Sequence, residues 1–306
     1  MVKYICKRLL MLIPVMLGIS LFIFLILSLT PGDPAKLILG LEAAPEDLEA
    51  LRESLGLNKP VLVQYLTYIW NAFHGDFGTS WFLNRPVLQD FMTYIPNTFY
   101  MAVLANLIAT VFGIPLGILA AIKHNKTPDY IVTFFALLFT SAPSFWVGML
   151  CQILFSIKLG ILPASGASSL RHFILPSFCM GAMAMATNMR STRTWLLDSI
   201  RSDYVRTARA KGAPERRVIV KHALRNSLLP VVTSLGMNFA GAMAGTAVSE
   251  AVFAIPGIGT YLTGGVKSKD VPIVCGCVIL IALIVGVINL LVDLLYAVID
   301  PRVKYN

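Results

Sequence analysis

The sequence predicts an all-α polytopic membrane protein with about six transmembrane helices, and three observations carry that expectation. The chain of 306 residues is 57% hydrophobic and 13% charged, with a mean hydropathy of +0.74, more apolar surface than a soluble core of this size can bury. Its apolar residues gather into six runs suited to crossing a hydrocarbon layer of roughly 30 Å. Its basic residues fall unequally between the segments that join those runs.

The first run, residues 9–29, carries no charge and exceeds a signal-peptide core. It ends in Leu29-Thr30-Pro31-Gly32, which lacks the small-residue pattern of a cleavage site. Further runs cover 98–122, 131–157, 173–189, 228–253 and 271–292, the last continuing past Asp293 to residue 299. An even number of spans puts both termini on one side. Seventeen of the 25 Lys and Arg then share that side, ten of them in the loop after span four. Basic residues flanking spans are retained in the cytoplasm, so both termini are expected there. The predicted organisation is an N-terminus and first helix (1–29), an extracytoplasmic helical segment (30–97), a transmembrane domain (98–299) with a cytoplasmic loop at 190–227, and a tail (300–306).

The 30–97 segment is large enough for structure of its own. Pro45 followed by Glu46, Asp47 and Glu49 suits a helix start, and Leu48, Leu51 and Leu55 form a stripe. A second helix is expected over 61–73, with Gly75 as its stop. A third short amphipathic stretch after Arg85-Pro86, carrying Val87, Leu88, Phe91 and Ile95, suits the membrane interface. Glu250 is expected at the outer end of span five, within reach of water.

Enzyme chemistry finds no constellation. Gly-x-x-x-x-Gly-Lys, His-Glu-x-x-His and Gly-x-Ser-x-Gly are absent. Ser20 in span one could be a nucleophile only with a base; no histidine lies inside a span, and His172 is the nearest candidate. A hydrogen-bonding role in helix contacts is the plainer reading of Ser20. Cys6, Cys151, Cys179, Cys275 and Cys277 lack zinc or disulfide spacing and read as packing residues.

Polar groups at membrane depth are costly and point to function. Asn289, Asp293, Tyr296 and Asp300 share one face of span six, as a cation or proton relay would require, or as a structural hydrogen-bonded ladder would. Two close-approach patterns stand out, Gly113-x-x-x-Gly117 in span two and Gly241-x-x-x-Gly245 in span five. Span five, with Ser234, Gly236, Asn238, Ala240, Gly241, Ala244 and Thr246, is small and polar enough to border a pathway. Pro115, Pro143, Pro176 and Pro230 interrupt spans two to five, as suits a transporter. The pathway or packing candidates are Asn238, Gly241, Gly245, Glu250, Asn289 and Asp293.

The loop after span four reads as helix, break, helix. Residues 202–211 form the first piece, Gly212-Ala213-Pro214 the break, and Pro214 with Glu215 the start of the second. Such a protruding helix, with Arg206, Arg209 and Lys211 beside Ala208 and Ala210, suits a cleft on another protein. Topology marking or anionic-lipid contact explains the charge but not the break.

At these residues the chain resembles the membrane subunits of ATP-binding-cassette importers, specifically the B-type permease of dipeptide, oligopeptide and nickel systems. Besides Arg206-Thr207-Ala208-Arg209-Ala210-Lys211-Gly212, the resemblance rests on Pro31-Gly32-Asp33-Pro34, Leu55-Gly56-Leu57, Gln64-Tyr65 and Gly75-Asp76-Phe77-Gly78. It continues through Pro96-Asn97-Thr98, Glu250-x-x-Phe253-x-x-Pro256-Gly257-Ile258-Gly259 and Asp300-Pro301-Arg302, nearly end to end. The resemblance implies a type I importer permease in a bacterial inner membrane, with no catalytic residue, cofactor or metal of its own. It implies a second homologous permease, two cytoplasmic ATPases that bind ATP-Mg, an extracytoplasmic binding protein and surrounding lipid as partners, and no nucleic acid. By position, residues Arg206, Thr207, Ala208, Arg209, Ala210, Lys211, Gly212, Ala213, Pro214 and Glu215 fall on the coupling helix of the EAA motif. Ala208 and Gly212 match its second Ala and its Gly, while Arg206 stands where the general motif has Glu. Dipeptides, oligopeptides and chelated nickel remain open as substrates. An autonomous channel or ion-coupled carrier built on Asp293 and Glu250 is the competing class.

Overall fold

The computed structural model describes residues 2–40, 42–244 and 247–299. In chain order its helices are α1 (Val2–Leu29), α2 (Pro34–Leu39), α3 (Pro45–Ser54), α4 (Val61–Phe73), α5 (Val87–Ile122), α6 (Thr127–Ser141) and α7 (Ser144–Cys151). After a π turn at Gln152–Lys158 and a 3-10 turn at Leu170–Phe173 come α8 (Ile174–Ile200), α9 (Asp203–Ala210) and α10 (Glu215–Arg217). A second π turn, Val218–Leu224, leads into α11 (Arg225–Ala244), followed by α12 (Ala247–Val252), α13 (Ile258–Ser268) and α14 (Val271–Ile299). Among the described residues there is no strand, only an isolated bridge between Thr79 and Pro86.

Among the described residues each apolar run falls mainly on helix, the one secondary structure that satisfies a single segment's backbone groups away from water. Helices α1, α5 and α14 are long and apolar enough to cross a membrane, and α6 with α7 and the following π turn makes a fourth candidate bent by 105°. The run 131–157 is therefore two helices rather than one. Pro143 supplies no amide donor and pushes Ala142 into an extended conformation, which ends α6.

The chain divides into two compact units, Met1–Thr98 with Pro256–Gly286 and Phe99–Ile255 with Val287–Asn306. In the first, Phe24 of α1 meets Tyr65 of α4 edge-on at 5.5 Å, and Ile69 and Cys275 complete the cluster. Ser20 is wholly buried there: its hydroxyl donates to Leu17 O at 3.1 Å and lies 3.0 Å from the Tyr65 hydroxyl. Ser20 thus joins α1 to α4, and His172 caps the 3-10 turn through Ser169, 2.9 Å away.

The 30–97 segment is tied by Asp33, which accepts from Ala35 N at 3.0 Å to start α2 and from Arg52 Nε at 3.0 Å to hold α3. The Arg52 guanidinium holds the Asp33 carboxyl below the ordinary carboxylate range, against a smaller upward push from burial. A depressed carboxylate adds stability above its unfolded pKa near 4 and loses it as pH falls through the folded value. Proteolytic cleavage within 34–60 is accordingly expected to accelerate as pH drops below about 4, and Arg52→Met to remove that dependence.

The third stretch of this segment differs from expectation. Residues 87–97 do not form a separate interfacial helix; they are the first turns of the 36-residue α5. Val87 and Phe91 are buried against Ile258, Tyr261, Ile273 and Cys277, so their apolar face has a protein partner rather than lipid. Helix α13, which no run of hydropathy marked, supplies part of that cluster. Its start is fixed by two bonds, from Asn97 Nδ2 to Pro256 O at 2.7 Å and from Ile258 N to Thr98 Oγ1 at 2.9 Å.

Asp270, fully buried at the start of α14, accepts from Ser80 Oγ at 2.7 Å, Phe82 N at 3.3 Å and Ile273 N at 3.2 Å. It caps α14 and fixes the turn before α5 with one side chain. Asp270→Ala strands a buried hydroxyl and two amides, so a loss of about 3 kcal/mol is expected, read as a lowered thermal midpoint in detergent.

Candidate functional site

Two arrangements in the second unit gather residues that the sequence singled out. The first is the basic loop. Helix α9 begins at Ser202, in extended conformation, with Asp203 in its first turn. Its apolar edge is narrow: Val205 is buried among Ala121, Leu196, Val218 and Ala223, with Ala208 and Ala213 against the same cluster. The opposite face exposes Arg206, Thr207, Arg209, Ala210, Lys211 and Gly212, followed by exposed Pro214 and Glu215. The helix is thus held along one edge and bare along the other.

The break is built as the sequence requires. Gly212 has φ +76, a left-handed conformation that an L side chain strains to adopt, and its amide bonds to Arg209 O at 2.9 Å. Arg209 grips Glu215 across the turn through Nη2 at 2.6 Å and Nε at 3.1 Å, holding the Glu215 carboxyl below its usual range. The predicted second helix is only one turn, α10, before the chain widens into a π turn.

Sequence reasoning missed a pair behind this loop. Asp129, at the start of α6 and 2% exposed, receives Arg193 of α8 in a fork, Nε to Oδ1 at 2.6 Å and Nη2 to Oδ2 at 2.8 Å. Asn125 N also donates to Oδ2 at 3.0 Å. The pair joins α6 to the helix that leads into the loop. An acid in the first turn after Thr127-Pro128 was the only local signal, and it named no partner 64 residues away.

The second arrangement is a cleft of about 380 Å³. Asn106 of α5, Ser144 of α7, Met183 and Thr187 of α8, Asn238 and Gly241 of α11 and Ser249 of α12 face it, and among the described residues no charged side chain lines it. A Cβ on Gly241 would meet nothing within 4 Å, so this glycine opens onto space instead of a neighbouring helix. Gly113 and Gly117, by contrast, press α5 against the α8 backbone at Met185 and Met189.

Of the expected pathway residues, the cleft brings together Asn238 and Gly241. Gly245 lies outside the described residues, as do Asp300 and the tail. Glu250 does not reach water: it is fully buried in α12, because that short helix packs against α7 and α8. Asn289, exposed, and Asp293, half-buried, lie on α14 and do not line the cleft. Cys151 and Cys179 belong to one apolar cluster beside it.

Comparisons with known proteins agree with this geometry. Residues 113–305 match the family described as binding-protein-dependent transport system inner membrane component, and residues 1–102 match its N-terminal membrane component. The chain is 42% identical, over 306 residues and all of both chains, to the glutathione transport system permease protein GsiC of Escherichia coli strain K12. The same holds for GsiC of Salmonella typhi. Among solved structures, an inward-facing methionine transporter MetNI superposes with a TM-score of 0.60 at 17% identity, over 70% of this chain and 97% of that one. An amino acid ABC transporter with histidines superposes at 0.51 and 14% identity, over 71% and 95%.

Proposed function

The chain belongs to the family of binding-protein-dependent transport system inner membrane components, a multi-pass permease, and from that membership we propose that it forms half of an ATP-driven pathway for short peptides. A second, homologous permease completes the pathway, two ATPases work beneath it, and an extracytoplasmic binding protein delivers the substrate. Both termini and the basic loop face the cytoplasm. ATP-Mg binds on the partners, and this chain holds no cofactor. The substrate class follows from full-length similarity to permeases named for glutathione transport.

The observation that carries the reading is α9, fixed through Val205 and bare along Arg206, Thr207, Ala210 and Gly212. A short helix held on one edge can transmit a push without dissolving, since its anchor continues into α8 and the Val218–Leu224 turn. The cleft with Asn238 and Gly241 supplies the pathway wall. Reconstitution tests it: uptake of reduced glutathione or trialanine into liposomes is expected only with partner permease, ATPases, binding protein and ATP present. Nucleotide-independent transport by this chain alone would instead establish an autonomous carrier.

A further inference from the structure

The cleft's hydrogen-bonding polarity is set by residues behind it. Asn188 is fully buried in α8, and its Nδ2 donates to Ala109 O at 3.4 Å. A carbonyl only accepts, so the oxygen end of Asn188 is the one turned to Asn238, whose Nδ2 donates to it at 2.9 Å. One of the two Asn238 N–H donors is therefore engaged, and its carbonyl oxygen is turned away from Asn188. Thr187 repeats the pattern: its hydroxyl donates to Met183 O at 3.0 Å, leaving only lone pairs for the cleft. On the α5 wall, Oδ1 of Asn106 is buried with no hydrogen-bond partner among the described residues. Buried acceptors are normally satisfied, and one left open at a cleft calls for a donor from whatever enters.

We propose that Asn106 and Asn238, with Thr187 beside them, form an uncharged acceptor wall that receives the N–H groups of a peptide backbone or its α-ammonium during passage. The proposal rests on the pathway reading above and deepens it by naming what the wall recognises. Acceptors grouped on a wall lined by no charged side chain among the described residues suit the N–H groups that all peptides share rather than any side chain. Each contact is exchanged against water, so it guides passage without trapping the substrate.

The test is uptake by the reconstituted importer, with reduced glutathione and trialanine as probes. Asn106→Leu is expected to slow uptake of both about tenfold, the worth of a lost hydrogen bond, with assembly and binding-protein-stimulated ATP hydrolysis unchanged; Asn238→Leu should slow uptake as much and also lower the thermal midpoint, because it strands Asn188 Oδ1. Asn106→Asp keeps an acceptor and should transport within about twofold of wild type; position 238 takes no Asp variant, because a carboxylate cannot donate to Asn188 Oδ1 as the Asn238 amide does. At Asn106 a purely structural role predicts the reverse order, because leucine suits a helix interface and a carboxylate does not. Asn→Ser at each position keeps a neutral acceptor and decides the matter if an Asp variant fails to assemble. Leucine variants at wild-type rates, or Ser and Asp variants as slow as leucine, overturn the acceptor wall and leave the permease reading standing. A wild-type complex that moves neither peptide but moves a metal chelate removes the peptide reading and this one together.

Discussion

Gly117→Leu is expected to remove most folded protein from the membrane fraction, and to lower the thermal midpoint of what remains. A Cβ at this position would lie 2.5 Å from Met189 O and 2.7 Å from Thr192 Cβ, both on α8. The first of these is backbone, which moves only if the helix moves. Gly113 meets Met185 O at 2.7 Å, and Gly181 of α8 meets Ala105 O at 2.7 Å, so the contact is made from both sides and runs over several turns. Overpacking costs about 3 kcal/mol where neighbours cannot yield, a large share of the roughly 5–15 kcal/mol that holds a domain folded. Gly241→Ala is the control. Its added methyl meets nothing within 4 Å, and an alanine gains roughly 0.5–1 kcal/mol over glycine in a helix, so the midpoint should hold or rise. Equal midpoints for Gly117→Leu and wild type would refute the close approach of α5 and α8.

The contrast between these glycines shows where sequence reading succeeds. Both Gly-x-x-x-Gly patterns were visible, yet the same spacing is a helix contact at Gly113 and Gly117 and a cleft wall at Gly241. Spacing sets the face of a helix; what stands opposite is a tertiary fact. The spans on α1, α5, α6 with α7, and α14, the Pro143 break, the α3 and α4 starts and the Gly212 turn were legible because each follows from a local cause: hydropathy, a missing amide, a helix dipole, a positive φ. Helix α13 was not, since its glycines and threonines carry no apolar run and its start depends on Asn97 and Thr98, some 160 residues away. Val87 and Phe91 were placed at an interface for the same reason, because amphipathicity does not distinguish lipid from Tyr261 and Ile273. Glu250 was assigned to water from its position near a span end, whereas its burial is imposed by neighbours that no local pattern reveals. The site was half legible: α9 and Asn238 with Gly241 were read, while Asn106, Asn188 and the Asp129–Arg193 pair emerge only from contacts across the sequence.

Bulky replacement at Gly212 should separate ATP hydrolysis from uptake. Left-handed backbone costs an L residue roughly 1–2 kcal/mol, which a protein anchored through Val205, Leu196 and Val218 can absorb. A side chain at Gly212 meets nothing within 4 Å of its own chain. Gly212→Val is therefore expected to insert and assemble with a midpoint close to wild type, so any large effect must come from outside this chain. If α9 docks into an ATPase groove, the new side chain projects into that contact, and uptake should fall more than about tenfold while hydrolysis continues, since tenfold corresponds to only about 1.4 kcal/mol of lost coupling. Ala208→Trp should act in the same direction but with a greater stability cost, because Ala208 also touches the Val205 cluster. Uptake and hydrolysis measured on the same proteoliposomes separate the cases. Equal loss of both would mean that the helix is needed for assembly, and unchanged uptake in Gly212→Val would mean that the bare face of α9 docks nothing.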